Sequence, residues 1–256
     1  HMDYWPASLF SRQPVPFVTT LHSRLDLAEL GPVYDDLPPV NLISISDSQR
    51  APLTRVPFLA TIHHGLPPEL LRPCPVEPSY LAFLGRICSE KRPDRAIRIA
   101  RAAGLPLRIA AKVDRVDEAY FDQEIRPMLG PDTEFIGEIN DDAKPEFLSG
   151  ARALLMPIDW PEPFGLVMIE AMACGTPVIA YGHGSVPEIV EHGLTGFIVN
   201  DESAAVAAVD RVDRLSRTAI RQEFERRFTS RRMAEDYLAA YDTLIGRRVG
   251  RLTLVG

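Results

Sequence analysis

The sequence predicts an α/β protein built around a doubly wound parallel sheet, and three observations carry that expectation. From residue 79 onward, short apolar runs rich in strand-forming residues alternate with segments of helical periodicity. Several of those runs are apolar without a break, as strands are when helices cover both faces of a sheet. The alternation continues for about 120 residues to "FIVN", enough for one complete domain.

Before residue 79 the pattern is thinner. "VPFVTTLH" (15–22), "NLISIS" (41–46) and "FLATIHH" (58–64) read as strands, and "DLAELGPVYDDL" (26–37) as a helix. They make an incomplete α/β layer, with too little material to cover both faces of its sheet. Proline-dense "GLPPELLRPCPVEP" (65–78) reads as a linker. "SYLAFLGR" (79–86) opens the complete domain as a strand, followed by the helix "KRPDRAIRIARAAG" (91–104), with proline in its first turn and Gly104 at its end. Strand "LPLRIAAKV" and helix "DEAYFDQEIRPML" come next. Strand "TEFIGEI" leads to Asn140, placed to cap the helix "DDAKPEFLSGA". "RALLMPI", "TPVIAYG" and "TGFIVN" are the remaining strands, separated by helices "GLVMIEAMACG" and "SVPEIVEHG". Helices at 202–215, 216–229 and 230–249 finish the chain. The expected division is a partial amino-terminal α/β domain (1–70), a linker (71–78), a doubly wound sheet domain (79–230), and a carboxyl-terminal helix and tail (231–256).

The chain has 256 residues, 46% hydrophobic and 25% charged, which is the composition of a soluble globular protein. Its formal charge of −7 argues against a nucleic-acid partner, because phosphate-tracking faces need clustered cations. A small anionic ligand needs only two or three local positive groups. The arginine-rich "RQEFERRFTSRRMAEDYL" has acids interleaved throughout, so a solvated amphipathic face is the reading taken over a nucleic-acid or membrane surface. Cys74, Cys88 and Cys174 lack metal-ligand spacing and read as reduced thiols of a cytoplasmic protein. No run reaches the ~18 apolar residues of a spanning helix. Peripheral contact with a membrane stays open. "HMDYWPASLF" has no basic region followed by an apolar run, as a signal peptide would.

Ligands of open parallel sheets bind beyond the carboxyl ends of the strands. Two strand-to-helix turns stand out there. In "GRICSEKRPDRA", Arg86 ends a strand and Lys91 opens a helix, so both cations sit beside helix amino-terminal N–H groups. That suits a diphosphate, with the arginine forking across two oxygens and the lysine acting as a point charge. The alternative is a surface arginine and a lysine paired with Glu90. In "WPEPFGLVMIEAMACG", Glu162 lies just before a helix that begins near Phe164-Gly165, and Glu170 sits nearly two turns inside it among apolar residues. A carboxylate facing a crevice can accept paired hydrogen bonds from vicinal sugar hydroxyls. Glu170 could equally face solvent or pair with a core arginine, and the two glutamates could form a glycosidase dyad.

"EPFGLVMIEAMACGTPVIA" resembles the E-x7-E signature of retaining, nucleotide-sugar-dependent glycosyltransferases of family 4, which have the two-domain GT-B fold with Rossmann-like halves. "LGRICSEKRPDRAI" resembles that family's G-R-x-x-x-x-K phosphate loop, "FIGEIND" its nucleobase turn, and "PEIVEHGLTGFIV" the segment after the motif. Together these cover residues 80 to 200 in the family's order. The resemblance implies that Arg86 and Lys91 hold a donor diphosphate, with Gly165 and Leu166 at its phosphate. It places Glu162 and the Phe164-Gly165-Leu166 backbone at the donor sugar, Glu170 on the ribose hydroxyls, and Gly137, Glu138 and Ile139 around the base. "PFVTTLHSRLD" is similar to the family's strand ending in a histidine that faces the reaction centre, here His22, and "HMDYWP" to the His-containing segment before it. "TIHHGLP" departs from the family's Asn-Gly-Val-Asp turn.

What the resemblance implies is transfer of a hexose from a UDP-, GDP- or ADP-sugar to an acceptor hydroxyl, with retention and with no cofactor or metal. No D-x-D triplet occurs in the sequence. Two other readings remain: a fragment or subunit that binds the nucleotide sugar without turnover on its own, its amino-terminal domain to be completed by a partner chain or by self-association, and a related GT-B enzyme such as an epimerase, against which the long E-x7-E match argues.

Overall fold

The computed structural model describes residues 10, 13, 15–36 and 40–253, with side chains to residue 246. The "HMDYWP" segment lies outside the described residues. Two parallel sheets make up the fold. The first has strands β1 (Val18–Thr20), β2 (Asn41–Ser44) and β3 (Phe58–Thr61) in the order β1-β2-β3. Helix α1 (Leu30–Asp35) joins β1 to β2, and a short helix α2 (Asp47–Arg50) follows β2. The sequence reading missed α2, although Ser46 caps it by accepting from Gln49 N–H.

The second sheet contains β4 (Tyr80–Arg86), β5 (Leu107–Lys112), β6 (Thr133–Gly137), β7 (Ala151–Met156), β8 (Val178–Tyr181) and β9 (Gly196–Val199). Their order is β6-β5-β4-β7-β8-β9, all parallel. The chain winds outward from β4 to β6, then crosses back to lay β7 against β4. That reversal opens a crevice between the loops that leave β4 and β7. Both faces are buried, as unbroken apolar strands predict. Along β7, Leu154 and Met156 enter one core layer while Ala153 and Leu155 enter the other.

The connecting helices follow the expected order with local differences. Helix α3 spans Pro93–Ala102, with proline in its first turn. Segment 117–129 is irregular: a short helix α4 (Glu118–Tyr120) passes into a π turn (Phe121–Ile125) and a 3-10 turn (Arg126–Met128) at Pro127. Asn140 does accept from Ala143 N–H, but inside a turn, and helix α5 begins only at Lys144 and ends at Ser149. Helix α6 covers Leu166–Ala173, α7 only Val186–Ile189, α8 Glu202–Val209, α9 Arg217–Arg227 and α10 Ser230–Thr253.

The first sheet is better covered than the sequence suggests. Leu42 and Leu21 pack with Leu25, Tyr34 and Leu53 on one face. On the other, Ile43 and Ile62 pack with Ala240, Met233 and Tyr237 of α10, whose Tyr237 hydroxyl lies 2.8 Å from Thr20 Oγ1. The cover thus comes from a helix about 170 residues away in sequence. Among the described residues β1 and β3 each pair on one side only.

The chain crosses between the sheets at one tight place. Leu66 N–H donates to Phe228 O (2.8 Å) and Ser230 N–H to Leu66 O (2.9 Å). Arg221 donates to the carbonyls of Pro68, Leu71 and Ala173, and Arg232 to those of His63 and His64. The arginine-rich run therefore straps residues 63–71 down; of its other members, Arg226 and Arg227 pair with Glu223 and Arg231 with Glu235, all within one helical turn. Among the described residues no helix is long and apolar enough to cross a membrane.

At that crossing a Cβ on Gly65 would lie 2.2 Å from Thr229 O, a backbone atom that cannot swing away. Gly65→Ala should therefore lower unfolding free energy by about 1–3 kcal/mol in a urea titration. Gly31→Ala, in α1 with open space around it, should instead stabilise slightly, by roughly 0.5 kcal/mol. Equal effects at the two glycines would mean that the crossing is not tightly packed.

Candidate functional site

Lys91, from the loop after β4, and Glu162, from the loop after β7, meet at the crevice where strand order reverses: Lys91 Nζ donates to Glu162 Oε2. The loop carrying Glu162 is pinned by its backbone. Ser185 N–H donates to Glu162 O (2.9 Å), Ser185 Oγ to Phe164 O (2.7 Å), and Ser46 Oγ of the first sheet's α2 turn to Pro163 O (2.7 Å). Close approach at Ser185 requires Gly184, where a Cβ would sit 2.3 Å from Glu162 N. Gly165, at φ 79°, turns the chain into α6, a conformation that favours glycine.

So held, Glu162 is 8% exposed. Its Oε2 accepts a second bond from the indole N–H of Trp160 (3.1 Å). The Trp160 ring lies 5.1 Å from Lys91 Nζ and 5.4 Å from the Arg24 guanidinium, which reaches over from the first sheet. Arg24 is in turn paired with Glu90 (2.9 Å) and Asp26 (2.8 Å). Glu90 is thus occupied by Arg24, and the alternative pairing of Lys91 with Glu90 is not the one adopted.

Glu170 lies along α6 and is neither solvent-facing nor paired with arginine. Lys144 Nζ donates to it at 2.8 Å and to Asp141 at 2.8 Å. Burial works to lower the Lys144 pKa, but its hydrogen bonds to Asp141 and Glu170 and their negative charges outweigh it and the net shift is upward, so the ammonium is maintained. Lys144 opens the helix that follows Gly137, Glu138 and Ile139. Gly137 has φ 78°, Glu138 is exposed, and Ile139 packs against the core layer containing Met168. Sequence reasoning missed Lys144 and Trp160. Their signals were a cation in the first turn after "FIGEIND" and an indole two positions before Glu162.

Other sequence-selected residues sit differently. Arg86 is exposed and turns toward Asp114 (3.5 Å) and Asp117 (3.9 Å), not toward the carboxylate that holds Lys91. Phe164 is buried, and Leu166 is 45% exposed. Exposed His22, after β1, stacks on His64 with ring centroids 5.3 Å apart, and His64 meets the Phe164 ring edge-on at 4.9 Å. His63 bonds Glu188 (3.2 Å), whose carboxylate also accepts N–H groups of Asp47 (2.8 Å) and Ser48 (2.7 Å), joining the two sheets. Burial alone would raise the Glu188 pKa; these bonds reverse it and hold the carboxyl below its ordinary value.

Burial, then the charges of His22, His63 and Arg232, push the His64 imidazole down to about 4. An unfolded chain takes up that proton near pH 6.5. Between those values the unfolded state binds more protons, so stability is present above pH ~6.5 and is lost as pH falls toward 4, by up to about 3 kcal/mol. Urea midpoints measured from pH 7 to 4.5 should fall accordingly, and His64→Gln should flatten the slope. An unchanged slope in the variant would assign it to other groups.

The fold and this crevice define a class: two parallel α/β sheets of the GT-B type, with paired charges at the switch point. Residues 73–231, more than half of the chain, match the family described as Glycosyl transferases group 1, and the chain belongs to that family. It is 30% identical over 179 residues to the D-inositol 3-phosphate glycosyltransferase of Mycobacterium tuberculosis, covering 61% of this chain and 35% of that protein. It is 31% identical over 125 residues to an uncharacterized 41.2 kDa protein in the cps region of Klebsiella pneumoniae, covering 48% and 33%. The chain spans about a third of the length of these curated relatives. Among solved structures, AviGT4, a glycosyltransferase involved in avilamycin A biosynthesis, superposes with a TM-score of 0.69 at 26% identity, covering 80% of this chain and 63% of that one. Anabaena HepE, solved with UDP and glucose, shares the fold at a TM-score of 0.74 and 19% identity, covering 89% and 72%.

Proposed function

We propose that this chain carries the donor-binding half of a retaining hexosyltransferase that uses a nucleoside diphosphate sugar. The observation that carries the proposal is the pair of largely buried carboxylates, Glu162 and Glu170, on either side of the Gly165 turn, each held by one lysine at the crevice. In this reading Lys91 and the N–H groups at the start of α6 receive the diphosphate, Glu162 the hydroxyls of the hexose, and Glu170 those of the ribose. The turn Gly137-Glu138-Ile139 frames the base, and Arg86 swings from Asp114 to add a second cation. Cations and helix-end dipoles then stabilise the leaving diphosphate without a metal. His22, which the His64 stack presents from the first sheet, faces the reacting carbon. The departing phosphate oxygen takes the acceptor proton on the same face, which retains the anomeric configuration.

HepE, whose structures were solved with UDP, with UDP and glucose, and with UDP-glucose, supports UDP as the first nucleotide to test. Calorimetric titration with UDP, GDP and ADP, without added metal, should show one of them binding. Glu170→Gln should weaken that nucleotide about tenfold, the scale of a lost charge-assisted hydrogen bond. Affinity unchanged in Glu170→Gln would remove the ribose assignment. Hydrolysis or transfer measured on the same sample separates turnover from binding alone.

A further inference from the structure

We infer that Glu162 competes with a bound diphosphate for Lys91, and that Trp160 sets how freely Lys91 is released, so that the site favours an intact sugar nucleotide over the free nucleoside diphosphate. The inference rests on the donor reading above and adds a selectivity that the reading alone does not contain.

The geometry is that of one carboxylate oxygen with two donors. Glu162 Oε2 accepts from Lys91 Nζ and from Trp160 Nε1. The two charged side chains are mostly shielded, so water screens their interaction poorly. An ammonium has three donors and could touch both a carboxylate and a phosphate. A diphosphate drawn to Lys91 is nevertheless brought up against a buried like charge, which opposes it. When the diphosphate carries its sugar, ring hydroxyls can donate to the free oxygen, Oε1, and make up for the share of Lys91 that Glu162 gives away. A free nucleoside diphosphate offers no such donors. Glu162 then penalises the product and tolerates the substrate.

Trp160 enters because its N–H is a neutral donor fixed in a rigid ring. The ring is covered by Arg24, which is itself anchored by Glu90 and Asp26. As Lys91 moves toward phosphate, the indole N–H stays on Oε2 and keeps the carboxylate from being left unpaired, a state that is costly for a buried charge. Without that N–H, Glu162 depends more on Lys91 and holds it more tightly. Trp160 is in this sense a positioning residue.

The two substitutions have opposite signs. Titration of the full chain with UDP, GDP and ADP should show Glu162→Gln tightening the nucleoside diphosphate roughly three- to tenfold, and Trp160→Phe weakening it by a similar factor. With Glu162→Gln already present, Trp160→Phe should change nothing further, and the same should hold in a Lys91→Ala background. A merely structural tryptophan would weaken binding in every background. If Glu162→Gln folds poorly, the comparison of Trp160→Phe with and without Lys91→Ala still decides the matter. Unchanged or weaker nucleotide affinity in a folded Glu162→Gln, with Lys91→Ala still weakening it, would overturn the competition and leave the donor site standing. Failure of the unsubstituted chain to bind any of the three nucleotides would overturn both.

Discussion

A carboxylate buried at the mouth of a sheet must be held on all sides, and much of this structure follows from holding Glu162. An unpaired ionised carboxyl in such a place would cost several kcal/mol or would take up a proton. Here the charge is met by Lys91 and the Trp160 indole, while the backbone around it is fixed by Ser185, Ser46 and the close approach of Gly184. These partners arrive from four places: the β4 loop, the β7 loop, the turn before α7, and the α2 turn of the other sheet. The strand order makes that convergence possible, because β4 and β7 lie side by side only where the winding reverses.

The same convergence couples the two sheets. Glu188 takes two backbone N–H groups at the start of α2 as well as the His63 ring, Arg232 holds the carbonyls of His63 and His64, and α10 lies across the first sheet. His22 is therefore placed by contacts that begin in the second half of the chain. A change in α10 or Glu188 would act at the crevice without touching it, by tilting the histidine stack against Phe164.

How much of this the sequence disclosed follows from the range of the interactions. The six strands of the large sheet were legible because burial on both faces leaves unbroken apolar runs such as "RALLMPI", a local signal. Glu162 and Glu170 were legible because a charged residue beside or within an apolar helix contradicts its surroundings. Lys144 and Trp160 were not, since a lysine in a first helical turn and a tryptophan before a proline are ordinary in themselves. Only the fold brings them to the two glutamates. The cover of the first sheet was missed for the same reason: Met233, Tyr237 and Ala240 show helical spacing, but nothing local says that they pack on Ile43 and Ile62. The helix "SVPEIVEHG" is shorter than its pattern suggests, because the chain leaves the helix at Val190, whose backbone is extended.

The two glutamates are each paired with a lysine of their own, yet their environments give them different freedom. Lys144 sits between Glu170 and Asp141, so its charge is shared by two carboxylates and its raised pKa reflects both. Drawing Lys144 away would leave two acids uncompensated, so under the proposed function Glu170 keeps its lysine and offers its second oxygen to a neutral ligand group. Lys91 answers to one carboxylate that has a neutral donor in reserve. Of the two lysines it is the one that an incoming anion can recruit at the smaller electrostatic cost. In the proposed reading, the division of labour between hydroxyl-binding and phosphate-binding ends of the crevice thus rests less on the glutamates than on what stands beside each lysine.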